Sequence, residues 1–224
     1  MNLYKRFRLR HAAPSDLSSI LKIKEALKIS RIEHKQTSEG FLLGSSPEFY
    51  LEMIEHGIAQ VVEDQTDSIV YGVGFALPWD MLKLTEVWQK RKLATWHGSL
   101  LNDLEEGKPG YIEQLAVLPG QSLRFLAPGL GLSLVEQLFT HGHTHILATT
   151  VLEPVKNTAA IKLLRLIHAF PAGEIEEQYP KIGRILSQIH CVSLHAYKKA
   201  SAEDSFQSRV LGYLEKTSNF RQEL

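Results

Sequence analysis

Gly129 and Gly131 sit where three local signals meet. An apolar strand-like run, YIEQLAVL, ends at Pro119. A loop with one basic side chain, Arg124, follows. Then Pro128-Gly129-Leu130-Gly131 opens an apolar run of helical spacing. A strand, a glycine-bearing loop and a helix start are the parts of an anion cradle. The first N–H groups of a helix lack partners, the helix dipole adds partial positive charge, and glycine lets a phosphate approach the backbone. Two nucleotide motifs built from these parts fail here. The dinucleotide fingerprint needs a third glycine at position 134, which is Leu134. The P-loop needs Gly-Lys-Ser/Thr, but Gly131 is followed by Leu132-Ser133. A bare helix-start cradle remains, and on spacing alone a tight connection is the simpler account.

The run THGHTH places His141, His143 and His145 at alternate positions. It falls where a helix ends and a strand begins, so the three rings need not converge. No cysteine or carboxylate cluster completes a zinc shell, so no metal is expected. Cys191, the one cysteine, sits in an apolar strand and reads as a packing residue. It excludes an intrachain disulfide framework and favours a cytosolic, cytoplasmic setting.

These residues need a folded scaffold, and the chain can supply one. It has 224 residues, 44% of them apolar and 22% charged, enough for one domain with additions. Lys plus Arg equals Asp plus Glu at 25 each, so no basic excess points to nucleic acid or a membrane surface. No apolar stretch reaches the ~18 residues of a membrane span.

Periodicity predicts a strand over 5–11 and a helix from Ala13-Pro14-Ser15-Asp16 with Leu17, Ile20, Leu21, Ile23 and Leu27 on one face. A second helix is predicted from Ser46, as cap, to about Gly57. IAQVVED and SIVYGVGFAL read as a hairpin. Residues 80–104 read as helical without a clean stripe, and 80–108 as an inserted segment. A strand over 111–118, a helix over 129–141, a strand over 145–152 and a helix over 157–170 follow. Two strands, around 173–178 and 189–197, and an amphipathic tail helix over 202–218 complete the set. The order predicts a mixed α/β sheet flanked by helices rather than a purely parallel one.

Three stretches, in order, resemble the core of the GNAT N-acetyltransferases. They are the run Leu115-Ala116-Val117-Leu118-Pro119, the loop Gly129-Leu130-Gly131, and the helix start Asn157-Thr158-Ala159-Ala160. The resemblance is specific over about 110–170 and looser over the rest. It implies a GNAT-type α/β fold: a mixed, mostly antiparallel sheet with a splayed strand pair that binds acyl-CoA. It also implies one such domain over 1–200, with 201–224 as a helical extension. The chain departs from the pattern in four places. Leu126 stands where a Gln or Arg is usual, and the loop after Pro119 is about four residues longer. Pro128 has no N–H, and Leu164 stands where members often carry a tyrosine general acid.

What the resemblance implies for the site is concrete. Acetyl-CoA would lie along the backbone of Leu115, Ala116 and Val117, with an N–H there polarising the thioester carbonyl. Its pyrophosphate would meet Ala127, Gly129, Leu130, Gly131 and Leu132, with Arg124 as a side-chain contact. Asn157 would bond the pantetheine arm, a role compatible with capping its helix. Strand alternation would put Tyr111, Glu113 and Leu115 on one face. Glu113 is then the candidate base, its pKa raised by burial, and Tyr111 a candidate substrate contact. Tyr179 and Tyr197 are positional substitutes for the missing acid. Trp79, Trp88, Trp96, Phe41 and Tyr50 are candidate pocket walls or plain core.

The expected activity is transfer of an acetyl group from acetyl-CoA to a primary amine, by direct attack in a ternary complex. The acceptor is a small molecule or a peptide; no nucleic acid or membrane partner is expected, and a homodimer is left open. A GNAT-fold acyl-CoA sensor with weak or no catalysis is the alternative, and a tail that docks a partner is a third.

Overall fold

The computed structural model describes residues 6–28, 36–37, 40–43, 45–120, 126–179 and 183–203. Lys5 of the first predicted strand, Arg124 and most of the predicted tail helix lie outside the described residues.

Apolar–polar alternation makes Phe7–His11 a strand, β1, with Phe7 and Leu9 inside. A 3-10 turn at Pro14–Asp16 leads into α1, Leu17–Leu27. Asp16 fastens this corner. It accepts from Ala13 N at 2.8 Å and from two guanidinium nitrogens of Arg10, at 2.7 and 2.9 Å. Arg10 also reaches Glu63 at 2.8 Å, which ties the corner to the next strand. The Arg10 contacts hold the Asp16 and Glu63 carboxyls below their ordinary range, against the opposing pull of burial. Helix α2, Pro47–His56, starts as predicted: Ser46 Oγ accepts from Phe49 N at 3.2 Å and Pro47 is the first helical residue.

The hairpin forms as β3, Ile58–Asp64, and β4, Val70–Leu77. The segment expected to be helical breaks into short pieces. They are α3 (Trp79–Leu82), α4 (Glu86–Gln89), a 3-10 turn at Lys90–Leu93, a two-residue strand β5 (Thr95–Trp96) and α5 (Leu100–Glu106). Then come β6 (Gly110–Val117), α6 (Leu126–Thr140), β7 (His145–Glu153), β8 (Lys156–Asn157) and α7 (Thr158–Leu166). β9 (Phe170–Tyr179), β10 (Gly183–Ser193) and α8 (Leu194–Glu203) follow. A two-residue strand β2, Gln36–Thr37, pairs with β8 in parallel.

Four boundaries differ from the sequence reading, each for a structural reason. The last strand ends at Ser193, not 197, because Ser193 Oγ accepts from Ala196 N at 3.3 Å and starts α8 there. Its beginning moves back to Gly183, since β10 is paired on both sides by β7 and β9. α7 stops at Leu166, and His168 turns the chain at φ 61° into β9. α6 begins three residues early, at Leu126, because Pro128 is tolerated in a first turn that lacks internal N–H bonds anyway.

The described strands form one eight-stranded sheet in the order β1-β3-β4-β6-β7-β10-β9-β5, with β2 and β8 apart. Every pairing in it is antiparallel except β6 with β7. One face packs on α6, α7 and α8 through Leu130, Leu134, Leu138, Leu164, Ile167 and Tyr197. The other packs on α1, α2 and the 79–106 segment through Ile20, Ile23, Tyr50, Leu82, Trp88 and Leu104. Each fully buried Leu or Ile in these layers contributes about 1.5–3 kcal/mol of transfer free energy. No helix among the described residues is long and apolar enough to cross a membrane.

Candidate active site

The site is set by how β6 leaves its neighbours. Toward β7 it pairs only over Gly110, Ile112 and the residue between them, opposite Ile146, Leu147 and Ala148. Both strands run on, to Val117 and Glu153, without pairing further with each other. The backbone edge of β6 from Glu113 to Val117 therefore faces a wedge. At the head of the wedge the Tyr111 hydroxyl and Thr149 Oγ1 are hydrogen-bonded at 2.8 Å.

Toward β4 the ladder slips by one residue. Gln114 opposes Phe75 and Ile112 opposes Ala76, so Glu113 is the extra residue of a β-bulge. The bulge reverses the alternation expected for this strand. Tyr111 and Ala116 belong to the core on the α1/α2 side, whereas Ile112, Leu115 and Val117 pack on the α6 side. Tyr111 and Leu115 thus lie on opposite faces, a correction to the simple two-residue period.

A cavity of about 700 Å³ opens beside the wedge. Tyr111, Glu113, Leu115, Ala116, Val117, Ala127 and Asn157 all line it, as do Phe41, Trp88, Trp96 and Tyr179. The other described members of the predicted set sit elsewhere. Leu130 and Leu132 are fully buried in the α6 core. A Cβ on Gly131 would meet Leu115 Cδ1 and Ile167 Cγ2 at 3.4 Å, ordinary contacts, so the packing there accepts alanine. With α6 starting at Leu126, the N–H groups without an intrahelical acceptor are those of Leu126 and Ala127, since Pro128 has none. Gly129 and Gly131 lie one step deeper, inside closed turns. Tyr50 is core: it tilts against Phe75 at 5.3 Å and donates to Gln114 Oε1 at 3.1 Å. Trp79 stacks edge-on against Trp88 at 5.0 Å. Tyr197 packs beside Phe139 and donates to Glu136 at 2.8 Å, away from the cavity lining.

Asn157 caps α7, its Oδ1 accepting from Ala160 N at 3.1 Å, and its Nδ2 donates to Phe41 O at 3.2 Å. It thereby tethers the 40–43 segment along the cavity. Leu164 lines the cavity and is buried, with no hydroxyl to offer.

Burial, and secondarily the nearby Glu177, pushes the Glu113 carboxyl up to about 7. Burial also raises the Tyr111 and Tyr179 hydroxyls, with the neighbouring carboxylates adding to it, so both stay protonated at neutral pH. Glu177, on β9, accepts from Lys90 Nζ at 3.0 Å, and Glu86 lies 3.5 Å from the same ammonium. Sequence reasoning missed Lys90 and Glu177. They are 87 positions apart in the chain, and only the docking of β5 on β9 brings them together.

The histidine run does not converge on a common point. His141 Nδ1 meets Gln137 O at 2.7 Å, His143 Nδ1 meets Lys108 O at 2.8 Å, and His145 Nδ1 meets Thr144 Oγ1 at 3.1 Å. Cys191 is fully buried, and burial pushes its thiol up to about 12.

The same architecture occurs in solved N-acetyltransferase structures. An N-acetyltransferase from Staphylococcus aureus Mu50 superposes with a TM-score of 0.55 at 16% identity, over 84% of this chain and 98% of that one. The spermidine/spermine N-acetyltransferase SpeG from Vibrio cholerae gives 0.58 at 14% identity, over 88% and 99%. A putative acetyltransferase from Salmonella typhimurium, solved with its cofactor acetyl-CoA, gives 0.55 at 15%, over 84% and 94%. The chain has the GNAT fold. No family model matches it, and no curated protein matches it in sequence. Within the GNAT fold, its bulge and its divergent β6–β7 pair form the splayed strand pair that the sequence resemblance implied.

Proposed function

We propose that the protein is an acetyl-CoA-dependent N-acetyltransferase acting on a primary amine by direct attack in a ternary complex. The observation that carries this reading is the wedge beside β6, where an unpaired backbone edge and Glu113 face one cavity.

The residues present fit the cofactor. An unpaired strand edge from Glu113 to Val117 offers N–H and C=O groups to the amides of a pantetheine arm, and Ile112, Leu115, Val117 and Leu164 supply apolar walls. Ala127 lines the same cavity at the start of α6, where the helix dipole favours a diphosphate. Gly129, Leu130, Gly131 and Leu132 support that helix start from within, and Asn157 stands at the cavity wall. When bound, acetyl-CoA supplies a thioester whose carbonyl is the electrophile. A backbone N–H between Leu115 and Val117 stabilises negative charge on that oxygen. Glu113, titrating near neutrality, takes the proton of the incoming ammonium, directly or through water. Tyr111, hydrogen-bonded to Thr149, orients the acceptor at the head of the wedge. Tyr179 lines the cavity and is the remaining tyrosine candidate for the proton donor.

Leu164 in place of a hydroxyl favours one second reading, an acyl-CoA sensor on the same fold. Two measurements separate the readings. A thermal shift with acetyl-CoA against cofactor-free buffer tests binding, and the absence of a shift refutes both. Thiol release over an amine panel tests transfer. An enzyme releases CoA, and Glu113→Gln then slows turnover without weakening cofactor binding; a sensor binds and releases none.

A further inference from the structure

The charged residues lining the cavity, among those described, are Glu86, Lys90, Arg91, Glu113 and Glu177. All five lie on one side, on β6, β9 and the 79–106 segment. Among the described residues, the walls toward α6 and α7 carry none.

Their pairing is uneven. Lys90 Nζ sits 3.0 Å from Glu177 and 3.5 Å from Glu86. Arg91 is bound to Glu105 at 3.0 Å, donates to Trp88 O at 2.9 Å and lies over the Trp88 ring at 4.4 Å. Neither cation is left to receive a carboxylate or phosphate of an acceptor. Glu86, the second partner of Lys90, is 83% exposed and solvated at the rim, whereas Glu113 has no hydrogen bond or ion pair among the described residues, so it is the one inner carboxylate left uncompensated. Around it the lining is aromatic and apolar: Tyr111, Tyr179, Trp88, Trp96, Ile175 and Leu82.

One free carboxylate in an apolar, aromatic chamber matches one ammonium on an apolar body. We propose that the acceptor subsite selects amines with a single positive charge and no anionic group, and that Lys90 sets this selectivity by occupying Glu177 as a built-in second cation. An acceptor carboxylate would approach Glu113 with no free cation among the described lining residues to meet it, a like-charge contact that suppresses binding. A second ammonium would find Glu177 already neutralised.

The inference rests on the acetyltransferase reading, and a matched set of probes separates the two. Hexylamine, 1,6-diaminohexane and 6-aminohexanoate share a five-methylene amine and differ in the far end, which is methyl, methylammonium or carboxylate. At pH 8, with acetyl-CoA, kcat/KM for hexylamine is expected to exceed that for either of the others at least tenfold. Calorimetric Kd values for the CoA-loaded protein should follow the same order. In Lys90→Gln, Glu177 is released, and the ratio of diamine to hexylamine should rise at least tenfold. In Lys90→Gln/Glu177→Gln that gain should vanish. Equal or better use of the diamine or the amino acid by the parent protein overturns the selectivity, and so does the absence of both turnover and binding of all three amines. A Lys90→Gln ratio that does not change overturns the role of Lys90. Failure of acetyl-CoA itself to bind refutes the acetyltransferase reading instead, and amine titrations without cofactor still read the selectivity.

Discussion

Replacing Glu113 with glutamine changes stability in a way that depends on pH, and the size of the effect follows from the site. The carboxyl titrates near 7 in the folded protein, against 4.5 for its ordinary value, mainly because burial disfavours its charge. Between those two values the unfolded chain gives up a proton that the folded protein keeps. Stability that is fully present below about pH 4.5 is therefore lost as pH rises, and the loss levels off above 7. The interval corresponds to about 3 kcal/mol, an upper figure because local water and relaxation reduce it. Glutamine has no proton to lose. Urea denaturation of parent and Glu113→Gln at pH 4, 5.5, 7 and 8 should give a constant offset at the acid end. The variant should gain up to about 3 kcal/mol relative to the parent by pH 8. The same substitution is expected to lower kcat/KM by roughly 10²- to 10⁴-fold and to remove the rising limb near neutral pH. A stability difference that does not move with pH would refute the claim that Glu113 is held in a desolvated wall. It would also remove the reason for its base strength.

Four further outcomes are expected. Gly173→Ala places a Cβ 2.5 Å from Thr95 O, so β5 must shift off β9; a loss of about 1–3 kcal/mol in urea denaturation is expected. Gly131→Ala meets only ordinary contacts and should stay within about 0.5 kcal/mol of the parent by the same measurement. Asn157→Ala removes a cap and the tie to Phe41 O, and should cost about 1 kcal/mol by thermal or urea denaturation. His190 is buried against Thr150, and burial depresses its imidazole to about 4. The His190 contribution to stability should therefore fall as pH drops from 6.5 toward 4, by up to about 3 kcal/mol and opposite in sign to that of Glu113, and the parent-minus-His190→Gln difference should show that slope.

Much of the fold was legible because its signals are local. The Ser46-Pro47 helix start, the IAQVVED hairpin strand and the Leu-Ala-Val run of β6 each announce themselves within ten residues. The bulge was not legible, since nothing in the composition of YIEQLAVL says that Glu113 is skipped by β4. That depends on register with a strand some 40 residues earlier. The same holds for β5: two residues carry no periodicity, and Trp96 becomes a strand residue only because Gly173 lets β9 approach it. Within the site, Glu113 stood out as an acid in an apolar strand. Its counterparts Lys90 and Glu177 looked like ordinary surface charges until the chain folded them together.

The 79–106 segment also has a protective consequence. β9 would be the last strand of the sheet on that side, and its outer row of backbone groups would be open to strand addition from another chain. The short β5 occupies only the stretch facing Gly173 and Glu174. A two-residue guard offers little ladder for a newcomer, and His97 N extends it by one bond to Ala172 O at 2.9 Å. Shortening this segment to simplify the acceptor pocket would thus expose a sticky sheet margin, and the expected penalty is loss of solubility before any loss of fold.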